Sequence, residues 1–309
     1  MELIEQMKAG NKRACGRILS MIENDESQAA EIIAAIYADT GKAHIVGITG
    51  PPGGGKSTLT DKLAKHYLKQ NKKIGIIAID PTSPFTGGAI LGDRIRMNDL
   101  AIHPNIFIRS MGTRGHLGGL SRATKDSIKV LDAYGCDYIF VETVGVGQSE
   151  VDIVKTADTV LMIMVPGLGD DIQAIKAGVM EIGDIFVVNK SDLFGANRTV
   201  NEINMMLDIA QNLDKRPPVL QVVASQNKGI DSLAEEIENH FKWTKDTENY
   251  AIRKKDSLKN EIVALIEIEL KKHILEKNDA SEELNRIVEK VYLRESNPYA
   301  ARDMILEKI

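Results

Sequence analysis

Eight consecutive residues, Gly50-Pro51-Pro52-Gly53-Gly54-Gly55-Lys56-Ser57, have types and spacing suited to holding a polyphosphate. They fit the pattern G-x-x-x-x-G-K-[ST]. Glycine has no Cβ, so successive backbone N–H groups can turn inward around the β- and γ-phosphates. A helix opening at the end of such a loop points the positive end of its dipole at the same anion. Lys56 is expected to reach the β/γ oxygens and Ser57 to ligate Mg²⁺, with Thr58 completing the cradle.

A second group of residues bears on the base. Asn189-Lys190-Ser191-Asp192 follows the apolar run Ile185 to Val188. In an N-K-x-D turn the Asp carboxylate accepts hydrogen bonds from N1–H and the exocyclic amine of guanine. Adenine offers neither donor there, so Asp192 would be left unpaired, and unpaired buried groups reject an analogue strongly. Lys190 is expected to lay its stem over the base and ribose. Asn189 is expected to tie this turn to the phosphate loop. The pattern predicts a site for GTP and GDP.

Acidic residues at strand ends come next. Asp80 ends the second apolar run and Glu142 ends the fourth, which puts both on the nucleotide face, near Mg²⁺. Glu142-Thr143-Val144-Gly145 stands where many GTPases have D-x-x-G, and the Gly145 N–H is expected to bind the γ-phosphate. Glu is one methylene longer than Asp, so Glu142 is expected to touch Mg²⁺ through a water or to hold a nearby catalytic water. In Ras-like enzymes a Gln directly after this glycine orients the attacking water. Here that residue is Val146, and Gln148 lies two positions further on, so unassisted hydrolysis is expected to be slow. The stretch from Pro81 to Arg94 has the composition of a mobile switch, with Asp93 as its candidate for Mg²⁺ or water. A further loop, Pro166-Gly167-Leu168-Gly169-Asp170-Asp171, is followed by Lys176.

Positioning these groups needs a layered α/β scaffold. Seven apolar runs, Ile45–Thr49, Ile74–Ile79, Ile106–Ile108, Tyr138–Val141, Val160–Val165, Ile185–Val188 and Val219–Val223, alternate with helical stretches. Most are continuously apolar, as parallel strands covered on both faces are. The expected fold is a doubly wound, mostly parallel sheet with ligands at the carboxyl ends of its strands. Residues 1–42 read as a helical extension, with Ile18, Met21, Ile22, Ile32, Ile33, Ile36 and Tyr37 at helical spacing and Gly41 at its end. Residues 43–243 form the nucleotide domain. Residues 244–309 read as helices: Val263, Ile266, Leu270 and Ile274 on one face, then Leu284, Ile287, Val288 and Val291 turned inward after a capping box at Asp279–Glu282, then a short helix from Asn297-Pro298.

Composition narrows the classes of partner. The chain has 309 residues, 43% hydrophobic and 27% charged, with a net charge of −5. That balance gives no footprint for nucleic acid or an anionic membrane. Cys15 and Cys136 are far apart and suggest no disulfide framework. The longest apolar run is too short to span a bilayer, and the first residues have neither a basic nor an apolar leader region. A cytoplasmic location is expected.

Five stretches, GITGPPGGGKST, DPTSPFTGGAILGDRIRM, RSMGTRGHLGGLS, ETVGVGQSE and PGLGDDIQAIKAG, resemble the MeaB/ArgK family of GTPases. The likeness runs from about residue 8 to the final NPYAAR. The resemblance implies a SIMIBI-class P-loop domain and a homodimer made by the helical tail. It also implies a chaperone of adenosylcobalamin-dependent methylmalonyl-CoA mutase, or of a related acyl-CoA mutase, whose nucleotide state gates cofactor loading and protects or rescues the mutase. It assigns Asp80–Asp93 to a first switch and Glu142–Gln148 to a second. Pro166–Lys176 becomes a third switch that senses the mutase, with Asp170, Asp171 and Lys176 as its charges. The family commonly has Ser-Ala in the last guanine loop, where this chain has Val223-Ala224, so guanine O6 is expected to meet the Ala224 N–H. Two rival readings are a metallochaperone GTPase, for which the six His and two Cys lack ligand spacing, and a kinase linked to amino-acid transport. A nucleotide-gated scaffold without turnover is a third.

Overall fold

The computed structural model describes residues 2–24, 26–80, 98–112, 122–143, 153, 155–167, 183–209, 215–275 and 280–306. The chain divides into two compact units, residues 1–248 and 249–309.

The first unit is built on a seven-stranded sheet. Its strands are β1 (His44–Thr49), β2 (Ile74–Asp80), β3 (Ile106–Gly112), β4 (Tyr138–Glu142), β5 (Thr159–Met164), β6 (Ile185–Val188) and β7 (Val219–Gln221). Their order is β3-β2-β4-β1-β5-β6-β7, and every pairing is parallel. β1 sits centrally, flanked by β4 and β5, with the later strands on one side of it. The chain leaves the carboxyl end of β1 where the direction of winding reverses, the place at which open parallel sheets bind ligands.

Both faces are covered, which is why these strands are apolar throughout. On one face lie α1 (Glu2–Lys8), α2 (Lys12–Asn24), α3 (Glu26–Ile36) and α5 (Arg122–Ala133). Their apolar stripes join Ile45, Ile77, Ile79, Phe107, Ile139 and Val141 in one buried cluster. On the other face α4 (Lys56–Leu68) and α7 (Ile230–Asp246) bury Leu59, Leu63, Leu233 and Ile237 against Val46, Ile48, Ile76 and Phe140. A third cluster packs α6 (Ala196–Ile209) on Met162, Met164, Phe186 and Val188. The alternation Ile45, Val46, Gly47, Ile48 therefore feeds two cores from one strand.

The N-terminal helices belong to this unit's core, and a buried carboxylate fixes their junction with the sheet. Asp132 accepts hydrogen bonds from the N–H groups of Gly41 (2.5 Å), Lys42 (3.2 Å) and Ala43 (2.9 Å), just before β1. Gly41 has φ +89°, a left-handed conformation that glycine takes without steric cost. Arg109 on β3 pairs with Glu23 of α2 and donates to Ser20 Oγ at 3.3 Å.

At the amino-terminal end of the strands α7 is held by polar contacts. Thr159 Oγ1 lies 2.9 Å from both His44 Nε2 and His240 Nδ1, and His240 Nε2 is 3.3 Å from Asp184. Tyr67 and Tyr138 both donate to Glu238, at 3.0 and 2.7 Å.

Strand bounds differ from the apolar runs by more than one residue in two strands. β3 continues through Arg109 and Ser110 to Gly112, because an edge strand tolerates polar, half-buried residues. β7 stops at Gln221, although the Val222 N–H still donates to Val188 at 2.9 Å.

The second unit comprises α8 (Asn249–Leu275), α9 (Ala280–Tyr292) and α10 (Pro298–Leu306). Asn297 Oδ1 caps α10, accepting from the N–H groups of Tyr299 and Ala300 at 3.0 Å each. Asp279 of the expected capping box lies outside the described residues. On α9 Ile287 is buried, but Val288 is 56% exposed and does not turn inward. Among the described residues no helix is long and apolar enough to cross a membrane.

Candidate guanine-nucleotide site

The phosphate loop leaves β1 at Gly50, and its backbone explains its composition. Gly50, Gly53 and Gly55 have φ of +140°, +72° and +83°. A Cβ at Gly50 would stand 2.3 Å from the Ile163 carbonyl oxygen, so that position takes no side chain. Lys56 opens α4 and is buried, its Nζ donating to the carbonyls of Gly50 (2.8 Å) and Pro51 (3.0 Å). Its charge thus stands inside the loop's curve, at the amino end of a 13-residue helix. Loop, dipole and ammonium converge on one place, which suits a phosphate chain.

Asn189 binds the two halves of the site together. Its Nδ2 donates to the Gly54 carbonyl at 2.8 Å, and its Oδ1 accepts from the Ala224 N–H at 3.2 Å. The residue is 2% exposed. Lys190, at φ +55°, extends over the phosphate loop and donates to the Gly53 carbonyl at 2.9 Å. Asp192 is exposed, and Gln226 Nε2 reaches its Oδ2 at 3.4 Å. Phosphate loop, N-K-S-D turn and the Val223–Ala224 turn therefore form one continuous rim. The Ala224 N–H, which the family resemblance assigns to guanine O6, is directed here at Asn189.

On the other side of the loop is an oxygen-rich corner. Glu142 ends β4, is 5% exposed, and takes the Ser57 hydroxyl on Oε1 at 2.6 Å. Thr60 Oγ1 lies 3.1 Å from Glu142 Oε2. A hydroxyl beside a carboxylate, next to a phosphate cradle, is a hard-oxygen donor set that fits Mg²⁺. Among the described residues no group of three or more His, Cys, Asp or Glu is placed to hold a metal unaided. A Mg²⁺ ion here would therefore draw the rest of its shell from phosphate oxygens and water.

The structure brings Gly50 to Thr58, Asn189, Lys190, Asp192, Val223, Ala224 and Glu142 to one end of the sheet. Asp80 closes β2 there, its backbone in register with Gly112. Asp93, Gly145, Asp170, Asp171 and Lys176 lie outside the described residues. Sequence reasoning missed several contributors. Thr143 donates its N–H to Ile48 O at 3.0 Å and its hydroxyl to Thr49 Oγ1 at 2.9 Å, pinning the residue after Glu142 to β1. Ile153, fully buried, fills the space left by Gly47, where a Cβ would stand 2.5 Å from its Cγ1. Thr60 was legible only as a helical residue.

A parallel sheet in this order, with a phosphate loop after its central strand, defines a P-loop nucleotide-binding protein. The fold matches a crystal structure of a LAO/AO transport system kinase, with TM-score 0.75 and 23% identity over 99% of this chain and 96% of that one. It also matches HypB from Helicobacter pylori in complex with nickel, with TM-score 0.52 and 13% identity over 70% and 94%. At those identities the likeness is one of fold alone.

The sequence profile described as methylmalonyl Co-A mutase-associated GTPase MeaB matches residues 15–279, and the chain belongs to that family. It is 54% identical to a protein of Pyrococcus abyssi that carries the name GTPase, over 100% of this chain and 96% of the relative. It is 36% identical to the GTPase ArgK of Escherichia coli over 75% and 73%. A mouse protein, the mitochondrial methylmalonic aciduria type A homolog, is 37% identical over 60% and 46%. The chain is accordingly a GTPase that binds guanine nucleotides.

Proposed function

We propose that this GTPase gates adenosylcobalamin loading of methylmalonyl-CoA mutase or a related acyl-CoA mutase, and helps protect or reactivate it. The family's description as mutase-associated supports the reading, as does the name of the mouse relative. The observation that carries the nucleotide part is the Asn189 bridge from Gly54 to Ala224, which couples the base turn to the phosphate loop.

In this reading Gly50–Thr58 hold the phosphates, and the Lys56 ammonium neutralises charge on the β/γ oxygens. Asp192 reads the guanine edge while Lys190 covers its face, and the Ala224 N–H meets guanine O6 by sharing or leaving its bond to Asn189. Ser57 is a Mg²⁺ ligand, and Glu142, Asp80 and Asp93 serve the ion through water or directly. The bound Mg²⁺ would supply charge neutralisation between β- and γ-phosphate oxygens. Gly145 senses the γ-phosphate, and the charges of Asp170, Asp171 and Lys176 transmit nucleotide state to the mutase.

The helical tail is proposed to form a homodimer. Its long helix carries Ile262 at 57% and Ile266 at 52% exposure, together with Leu258, Val263, Leu265 and Leu270, an apolar set that a second copy would cover.

The test is GTP hydrolysis with and without purified mutase, alongside cobalamin transfer. Stimulation by the mutase is expected, and Lys176→Ala or Asp170→Ala should blunt it while guanine affinity stays near the wild-type value. A mutase that neither binds the protein nor alters its turnover would overturn the reading. Light scattering tests the dimer: Ile262→Glu with Ile266→Glu should give a monomer.

A further inference from the structure

We propose that Thr60 is a positioning residue that fixes the Glu142 carboxylate and so presents the Ser57 hydroxyl to a divalent cation. The inference rests on the reading of Ser57 as the Mg²⁺ ligand of a guanine-nucleotide site. Ser57 and Thr60 are one helical turn apart on α4, so their hydroxyls lie on the same face. That face meets the end of β4, where the two carboxylate oxygens of Glu142 are divided between them. Ser57 donates to Oε1 at 2.6 Å, and Thr60 Oγ1 stands 3.1 Å from Oε2.

Thr60 is fully buried. Its single proton faces two acceptors, Glu142 Oε2 and the Lys56 carbonyl at 2.9 Å. Hydrogen bonds to an ionised acceptor are about twice as strong as neutral ones, which favours the carboxylate. Held at both oxygens, the carboxylate is restrained against rotation about its last bond. Ser57 then donates its proton to a positioned acceptor, which orients its oxygen for a cation. The longer reach of Glu is thereby tied down, and the group acts on the ion through Ser57 or a water.

The experiment measures Mn²⁺ affinity of the GDP complex by electron paramagnetic resonance, with fluorescent GDP binding in excess EDTA as the metal-free reference. Thr60→Val removes the hydroxyl and keeps the shape. It should weaken Mn²⁺ binding roughly tenfold, the size of one lost hydrogen bond to a charged group. GDP affinity in EDTA should change less than twofold. Thr60→Ser should restore Mn²⁺ affinity to within about twofold of wild type. On a Glu142→Gln background, Thr60→Val should add little further loss. Thr60→Ala stands in if the valine variant fails to fold.

Wild-type Mn²⁺ affinity in Thr60→Val would overturn the proposal. So would a serine variant as weak as the valine one, or full additivity with Glu142→Gln. A wild-type protein that fails to bind GDP at all would overturn the underlying site reading, and the proposal with it.

Discussion

Asn189 stands so close to Gly55 that a β-carbon on the glycine would lie 2.4 Å from the amide nitrogen. The same glycine has φ +83°, a conformation that costs an L residue on the order of 1–3 kcal/mol. Gly55→Ala is therefore expected to push Asn189 off the Gly54 carbonyl and separate the base turn from the phosphate loop. Titration calorimetry should find GDP binding lost or weakened by at least tenfold. A variant that binds GDP as the wild type does would show that the contact can relax without consequence.

Base choice is expected to depend on Asp192. Its carboxylate can only accept, whereas an amide can also donate. Asp192→Asn is expected to lose guanine affinity and gain xanthine affinity, and competition between GDP and XDP measures both. In the wild type ATP should bind far more weakly than GTP; equal affinities would contradict the assignment.

Turnover separates Lys56 from Ser57. Lys56→Ala should lose phosphate binding, because the ammonium inside the loop's curve goes with it. Ser57→Ala should keep much of the nucleotide affinity measured without Mg²⁺ and lose the gain that Mg²⁺ confers. With Val146 after Gly145 the free protein should turn over slowly, on the order of 10⁻³ to 10⁻² s⁻¹ by analogy with unassisted GTPases. Phosphate release of many turnovers per second without a partner would refute this.

The two thiols make an alkaline prediction. Cys15 is fully buried, and burial pushes its thiol up to about 12; burial raises Cys136 as well. A thiol whose native pKa is raised keeps its proton after the unfolded chain has lost it. The unfolded state then binds fewer protons, and stability falls as pH rises above about 8.5. Urea midpoints should decline between about pH 9 and 11, and the decline should shrink in Cys15→Ala. Both thiols should resist disulfide reagents at pH 8 until the protein is unfolded.

Much of this was legible in the sequence, for identifiable reasons. Parallel strands buried on both faces are continuous apolar runs, so all seven lie where runs such as Ile45–Thr49 and Ile185–Val188 do. The phosphate loop is written in residue types that no ordinary turn requires. What escaped is contact at a distance. Thr60 looks like any helical threonine until β4 is laid beside it, and the pairing of Thr143 with Thr49 crosses 94 residues. Gly47 reads as a weak point in a strand, whereas it is the socket for Ile153. Val288 was misplaced because a helix in a small unit buries a narrower stripe than its periodicity offers.

The Asp132 clasp on Gly41–Ala43 also sets an order of events on the ribosome. The first three helices pack on a face whose closing partner, α5, lies about 90 residues further along the chain. At roughly 5–20 residues per second, these helices wait on the order of ten seconds after synthesis before their partner emerges. During that interval Ile18, Leu19 and Ile36 lack α5, and β4, which joins β1 to β2, has not been made. The nascent chain is thus most open to proteases and chaperones before residue 133 clears the exit tunnel, and protection of the first helices should appear only after it does.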